Sequence, residues 1–155
     1  MLDSGTTALE VARCLAGRHV TVMTLSLHAA SVLAQIEGVR LLMAGGEVRP
    51  GELSMVGPLA TGSLSALRFD TAVMSCCGLA DGQVTAHDLG DAEIKRAMRA
   101  SAARTVLVAD SSKFGRSATA VVCATSELDV VVTDSSIPTA AADALRGFGV
   151  ELLSV

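Results

Sequence analysis

Leu2-Asp3-Ser4-Gly5-Thr6-Thr7 is a short polar loop set directly before an apolar-periodic segment, and its reading decides the fold. Ala8, Val11 and Leu15 recur at helical spacing, which predicts a helix starting near Thr6 whose unpaired first-turn N–H groups face back over the loop. Those donors and the positive end of the helix dipole suit an anion. Gly5 lets backbone approach a ligand closely, Thr6 and Thr7 add hydroxyls, and Asp3 can accept from sugar hydroxyls at the same mouth. A second reading stands on the same residues. Thr7-Ala8-Leu9-Glu10 has the form of a capping box, which would secure the helix start without any ligand.

Outward from the loop, strand and helix patterns alternate. His19 to Met23 is short and β-branched and leads to Thr24-Leu25-Ser26, where Ser26 can cap a helix running toward Ile36. Residues 39–44 read as a strand closed by Gly45-Gly46. The pattern then loosens, with one short helix expected at 59–67. Residues 69–77 are too apolar for either face to be wet and read as a central parallel strand. After Gly78 comes a polar loop holding the Asp81-Gly82 turn, and residues 89–103 read as the longest helix. Strands at 104–109, 129–133 and 150–155 and a helix at 140–146 complete the pattern. Strands alternating with amphipathic helices predict an α/β fold, a mostly parallel sheet flanked by helices. Polar residues recur where strands end, at Asp3, Ser26, Asp110 and Asp134, which places a polar rim along one sheet edge.

The 155 residues form one domain of ordinary size, and half of them are hydrophobic. The apolar runs fall well short of the roughly 18 to 20 residues of a membrane-spanning helix, so a cytoplasmic location without membrane contact is expected. A net charge of -4 disfavours wrapping a nucleic-acid backbone, so DNA contact is expected to lie outside this chain. Cys14, Cys76, Cys77 and Cys123 lack metal-ligand spacing and read as reduced core residues, with no metal and no cofactor expected. Only Met1 and Leu2 precede Asp3, although such a loop ordinarily follows a full strand, so the chain is expected to be a piece of a longer protein.

Asp91 and Lys95 form an i,i+4 pair that reads as a solvated helix face. Glu93 has two readings, a carboxylate reaching sugar hydroxyls or a surface partner of Arg96. Lys113, after a strand end, can meet an anion as a point charge. The expected ligand-binding group is Asp3, Ser4, Gly5, Thr6, Thr7, Asp81, Glu93 and Lys113, converging on one cleft at the carboxyl edge of the sheet, with Lys95 nearby.

Several ordered motifs then resemble the sensor domain of DeoR/GlpR-type bacterial transcriptional regulators across essentially the whole chain: Asp3-Ser4-Gly5-Thr6-Thr7, Gly45-Gly46, Gly57, Phe69-Asp70, Glu93 with Lys95-Arg96, Asp110-Ser111-Ser112-Lys113-Phe114-Gly115 and Thr133-Asp134. One position departs: where that family commonly shows Thr-Asn-Ser, this chain has Thr24-Leu25-Ser26. The resemblance implies a fold related to ribose-5-phosphate isomerases and CoA transferases, used without catalysis to sense a phosphorylated sugar. It also implies a homo-oligomer, dimer or tetramer, within a repressor whose N-terminal winged helix-turn-helix carries DNA binding. Two alternatives accompany it. One is an aldose–ketose isomerase with Glu93 as base, the other a dimerisation module with a vestigial pocket.

Overall fold

The computed structural model describes residues 1–155. In chain order the elements are α1 (Thr6–Arg13), β1 (Val20–Thr24), α2 (Leu27–Leu33), β2 (Val39–Met43), β3 (Glu47–Arg49), β4 (Ser54–Val56), α3 (Pro58–Ser65), β5 (Phe69–Met74), β6 (Gly78–Ala80), β7 (Gln83–Ala86), α4 (Leu89–Ala100), β8 (Ala102–Val108), β9 (Ala120–Ala124), β10 (Val130–Thr133), α5 (Thr139–Gly147) and β11 (Glu151–Ser154).

The expected parallel sheet is present. Strands pair in parallel in the order β11-β10-β8-β5 on one side and β1-β2 on the other. Residues 1–3 join the two halves. Leu2 N–H donates to the Met23 carbonyl at 2.8 Å and Asp3 N–H to the Val73 carbonyl at 3.0 Å, so the opening residues lie between β1 and β5 in the middle of the sheet. Side chains alternate across it. Leu2 and Val22 pack with Ala8, Ala12, Ala29 and Leu33 under α1 and α2, while Met1, Met23, Ala72 and Met74 join the larger core formed with α3, α4 and α5.

The structure adds what the sequence pattern did not predict. β3 and β4 form a hairpin, and β6, β7 and β9 form a small antiparallel sheet. The hairpin docks on the end of β1 through Met55 N–H to Leu25 O at 2.7 Å and Leu27 N–H to Leu53 O at 3.0 Å. The segment read as a polar loop after Gly78 is largely the β6–β7 hairpin, whose Asp81-Gly82 turn has positive φ at both residues. That geometry suits a two-residue hairpin turn following the right-handed strand twist.

Two helix starts behave differently. Ser26 caps α2 as its position predicts, its Oγ accepting from Ala29 N–H at 3.2 Å. The capping box of the second reading, at Thr7 and Glu10, does not form: Gly5 is the N-cap, at φ 96°, no side chain caps α1, and Glu10 pairs with Arg13 at 3.3 Å. Thr7 sits two residues past the N-cap, too far into the helix to act as its cap. Ser26→Ala is therefore expected to cost about 0.5–2 kcal/mol and Thr7→Ala less than about 0.5 kcal/mol, read by urea denaturation. A larger cost for Thr7→Ala would show that its hydroxyl caps α1 after all.

Candidate functional site

The carboxyl ends of residues 1–3, β1 and β5 converge with the start of α4 on one cavity of about 380 Å3. Its wall takes Ser4, Gly5 and Thr6 from the loop, His28 from α2, Gly51 and Glu52 from the β3–β4 turn, Ser75 and Cys77 from beyond β5, and Asp91 and Lys95 from α4. Lys95 Nζ lies 2.5 Å from Asp3 Oδ2 and 3.2 Å from Asp91 Oδ1, and the Lys95 residue is only 2% exposed. Asp3 Oδ2 also accepts from Ser75 N–H at 2.9 Å and Ser75 Oγ–H at 2.8 Å, while Oδ1 accepts from Ser4 N–H at 2.8 Å. Asp3 is thus a buried hub that sets the loop, the end of β5 and the lysine relative to one another.

Charge placement follows. Burial alone would favour neutral lysine, but Asp3 and Asp91 outweigh it and hold the Lys95 ammonium above its ordinary pKa. Asp91 is pushed above the usual carboxylate range, chiefly by burial, with Lys95 opposing the rise. Arg49 clasps the hairpin wall to α4, its Nη1 lying 2.8 Å and its Nη2 3.0 Å from the two carboxylate oxygens of Asp88. Asp88 is itself the N-cap of α4, with Oδ1 accepting from Asp91 N–H at 2.9 Å.

The expected group is brought together only in part. Ser4, Gly5, Thr6 and Lys95 line the cavity, and Asp3 stands behind it with its carboxylate taken up by protein donors rather than turned to a ligand. Thr7 lies in α1 outside the lining. Lys95 corrects the solvated-face reading, because residues 91 and 95 share the inward face of α4 with Ile94 and Met98. Glu93, two residues from Lys95, is exposed on the opposite side and outside the cavity. Asp81 turns the β6–β7 hairpin and lines a separate groove beside Phe114 and Phe148. Lys113 sits half-buried in the turn after β8 and does not line the cavity. Asp110 and Asp134 are at strand ends as expected, and both accept from nearby backbone N–H groups, Ser112 at 3.0 Å and Ser111 at 2.6 Å. Sequence reasoning missed Ser75, Cys77, His28, Gly51, Glu52 and the Arg49 clasp. Ser75 was hidden within an apolar run.

The first turn of α1 has no side-chain acceptor, so its N–H groups and the Ser4 and Thr6 hydroxyls are the donors available to an anion. No group of three His, Cys, Asp or Glu side chains is placed to hold a metal. The model of the DeoR C terminal sensor domain matches residues 1–135. The chain belongs to that family. Among curated relatives, the putative aga operon transcriptional repressor of Escherichia coli O157:H7 is 37% identical over 100% of this chain and 58% of its own length. The glycerol-3-phosphate regulon repressor of Escherichia coli K12 is 30% identical over 97% of this chain and 61% of its own. The HTH-type transcriptional repressor GlcR of Bacillus subtilis 168 is 30% identical over 99% and 59%. This DeoR sensor domain therefore spans about three fifths of the length of these relatives. No helix in it is long and apolar enough to cross a membrane.

The cysteines of the domain differ in a way that reports on the cavity. Cys14 is exposed, correcting its reading as a core residue. Burial pushes the Cys76 thiol up to about 12 and Cys123 to about 11, and raises half-buried Cys77 at the cavity wall. Maleimide labelling followed by mass spectrometry is expected to modify Cys14 first, Cys77 slowly, and neither Cys76 nor Cys123 while the domain stays folded. Cys76 labelling as fast as Cys14 would contradict this burial.

Proposed function

We propose that this DeoR sensor domain binds a phosphorylated sugar without catalysis and thereby regulates a transcriptional repressor, with DNA contacted through a domain N-terminal to these residues. The observation that carries the reading is the uncapped start of α1, opening with Gly5 and Thr6 onto a polar cavity. Three relatives whose names describe transcriptional repressors, one of a glycerol-3-phosphate regulon, support it. Phosphate oxygens accept from the first-turn N–H groups and from the Ser4 and Thr6 hydroxyls. Sugar hydroxyls face Asp91, Glu52 and His28 across the cavity. Lys95 is already paired with two carboxylates and serves chiefly to fix the wall.

The isomerase alternative loses its base, because Glu93 is exposed away from the cavity. Leu25, standing where the family commonly has Asn, is buried in the main core, so the departure exchanges a polar side chain for packing beneath the site. The domain also acts, on this reading, within a homo-oligomer whose subunit arrangement shifts between two states. An effector moves that balance only by the difference in its affinity for the two. The test is operator binding by the intact repressor, followed by fluorescence anisotropy while sugar phosphates are titrated. The reading predicts that one of them changes operator affinity and that the corresponding neutral sugar does not. A flat response across phosphorylated pentoses, hexoses and trioses would contradict it.

A further inference from the structure

Arg49 is the one residue through which the β3–β4 hairpin makes side-chain hydrogen bonds or ion pairs to α4 and its cap. Its fork meets both oxygens of the Asp88 carboxylate, and the same Nη1 that lies 2.8 Å from Asp88 lies 3.6 Å from Glu52 Oε2 at the hairpin tip. Asp88 Oδ1 also accepts from Asp91 N–H at 2.9 Å, so a chain of contacts runs from Glu52 through Arg49 and Asp88 to the backbone of Asp91. Two carboxylates of the cavity wall, on separate elements, are thereby set by one guanidinium. The tip is fixed on its other flank as well: Leu53 N–H donates to Arg49 O at 3.0 Å, and Leu27 N–H, beside His28, donates to Leu53 O at 3.0 Å. Gly90 leaves room for the fork, since a Cβ there would stand 3.3 Å from Asp88 Oδ1 and 3.6 Å from Arg49 Nη2. Arg49 itself does not line the cavity.

We propose that Arg49 is a positioning residue for the sugar half of the effector: it holds Glu52 and Asp91 in the arrangement that receives sugar hydroxyls, and it takes no part in binding the phosphate. This rests on the reading of the cavity as an effector site with phosphate at the start of α1. Both terminal nitrogens of Arg49 are engaged by carboxylates, so the fork is not free for a second anion. Without it, Glu52, whose side chain is 62% exposed, would be held by nothing beyond the hairpin tip, and Asp91 would lose the fixed neighbour that orients its backbone. Charge acts in the same direction. Burial pushes the Asp91 carboxyl up and the Arg49 guanidinium helps to oppose that push, keeping Asp91 an acceptor for hydroxyl donors. Lysine is no substitute, because a point charge cannot span both oxygens of Asp88 and still face Glu52.

Calorimetric titration of the domain with inorganic phosphate and with ribose 5-phosphate, fructose 6-phosphate, glucose 6-phosphate and glycerol 3-phosphate tests this. The quantity read is the affinity of the tightest of the four relative to inorganic phosphate. In Arg49→Ala that ratio is expected to fall by about tenfold or more while inorganic phosphate changes by less than about twofold, and Arg49→Lys is expected to restore little of it. Asp88→Asn keeps a capping oxygen for α4 but not the charge that pins the fork, so it should lower the ratio in the same way even if Arg49→Ala fails to fold. An unchanged ratio in the folded variants would overturn the proposal. An equal loss for inorganic phosphate would overturn it too, by making Arg49 a phosphate ligand. Binding of neither probe by the unmodified domain is a different failure, since it removes the effector reading itself and this inference with it.

Discussion

Lys95→Ala is expected to destabilise the domain by about 3–5 kcal/mol, the usual cost of removing one partner from a buried ion pair. The loss comes from what remains. Asp3 is 1% exposed and would keep its Ser4 and Ser75 donors but no counter-charge, and Asp91 would lose the ammonium that opposes its desolvation. The Asp91 carboxylate, already raised by burial, would then titrate at higher pH still in the folded variant than in the unfolded chain. A folded state that binds more protons than the unfolded one loses stability as pH rises. The variant should therefore regain stability on acidification through the raised Asp91 value, down toward the unfolded carboxylate range near about 4. Asp3→Asn combined with Lys95→Met, which removes both charges, should recover a large part of the loss. Urea denaturation at several pH values reads all three. A Lys95→Ala cost under about 0.5 kcal/mol would mean that the pair is solvated and that Asp3 is not the hub described.

The second large effect belongs to the ligand. At about 100 times its dissociation constant, a sugar phosphate should stabilise the domain by roughly 2.7 kcal/mol, raising the melting temperature by about 5–10 °C. The neutral sugar lacks the phosphate charge and its three acceptor oxygens and should do far less. Thr6→Ala removes a hydroxyl at the cavity mouth, where it caps nothing, so apo stability should hold while affinity falls by about 1–3 kcal/mol. Thermal melts with sugar and sugar phosphate decide it. Equal shifts from both compounds would remove phosphate recognition, and an unchanged shift in Thr6→Ala would remove the direct hydroxyl contact.

The parallel sheet was legible because β1, β5, β8 and β10 are short, β-branched and apolar, and each is followed by a polar residue where the chain turns. β3, β4 and β6 have three residues apiece, too few for alternation to register, and their pairing depends on a turn rather than on burial. Thr6 and Gly5 were found through the logic of a helix start, which is local. Lys95 was misplaced because i,i+4 spacing to Asp91 is the same for an exposed pair and a buried one. Its burial comes from Asp3, 92 residues away in sequence, and nothing local signals that contact. Ser75 was missed for the same reason: β5 stops at Met74 because the next N–H and hydroxyl turn to the Asp3 carboxylate. Asp81 and Glu93 are polar residues near the correct sheet edge that turn away from the cavity, one into a tight hairpin and the other onto the outer face of α4.

The most direct measurement is a crystal structure of the domain grown with the sugar phosphate that gives the largest thermal shift. The predicted result is phosphate density within hydrogen-bond reach of the Gly5–Thr7 N–H groups and the Thr6 hydroxyl, with the sugar directed toward Asp91 and Glu52. Phosphate density in the groove beside Asp81, Phe114 and Phe148, with the start of α1 left empty, would contradict it.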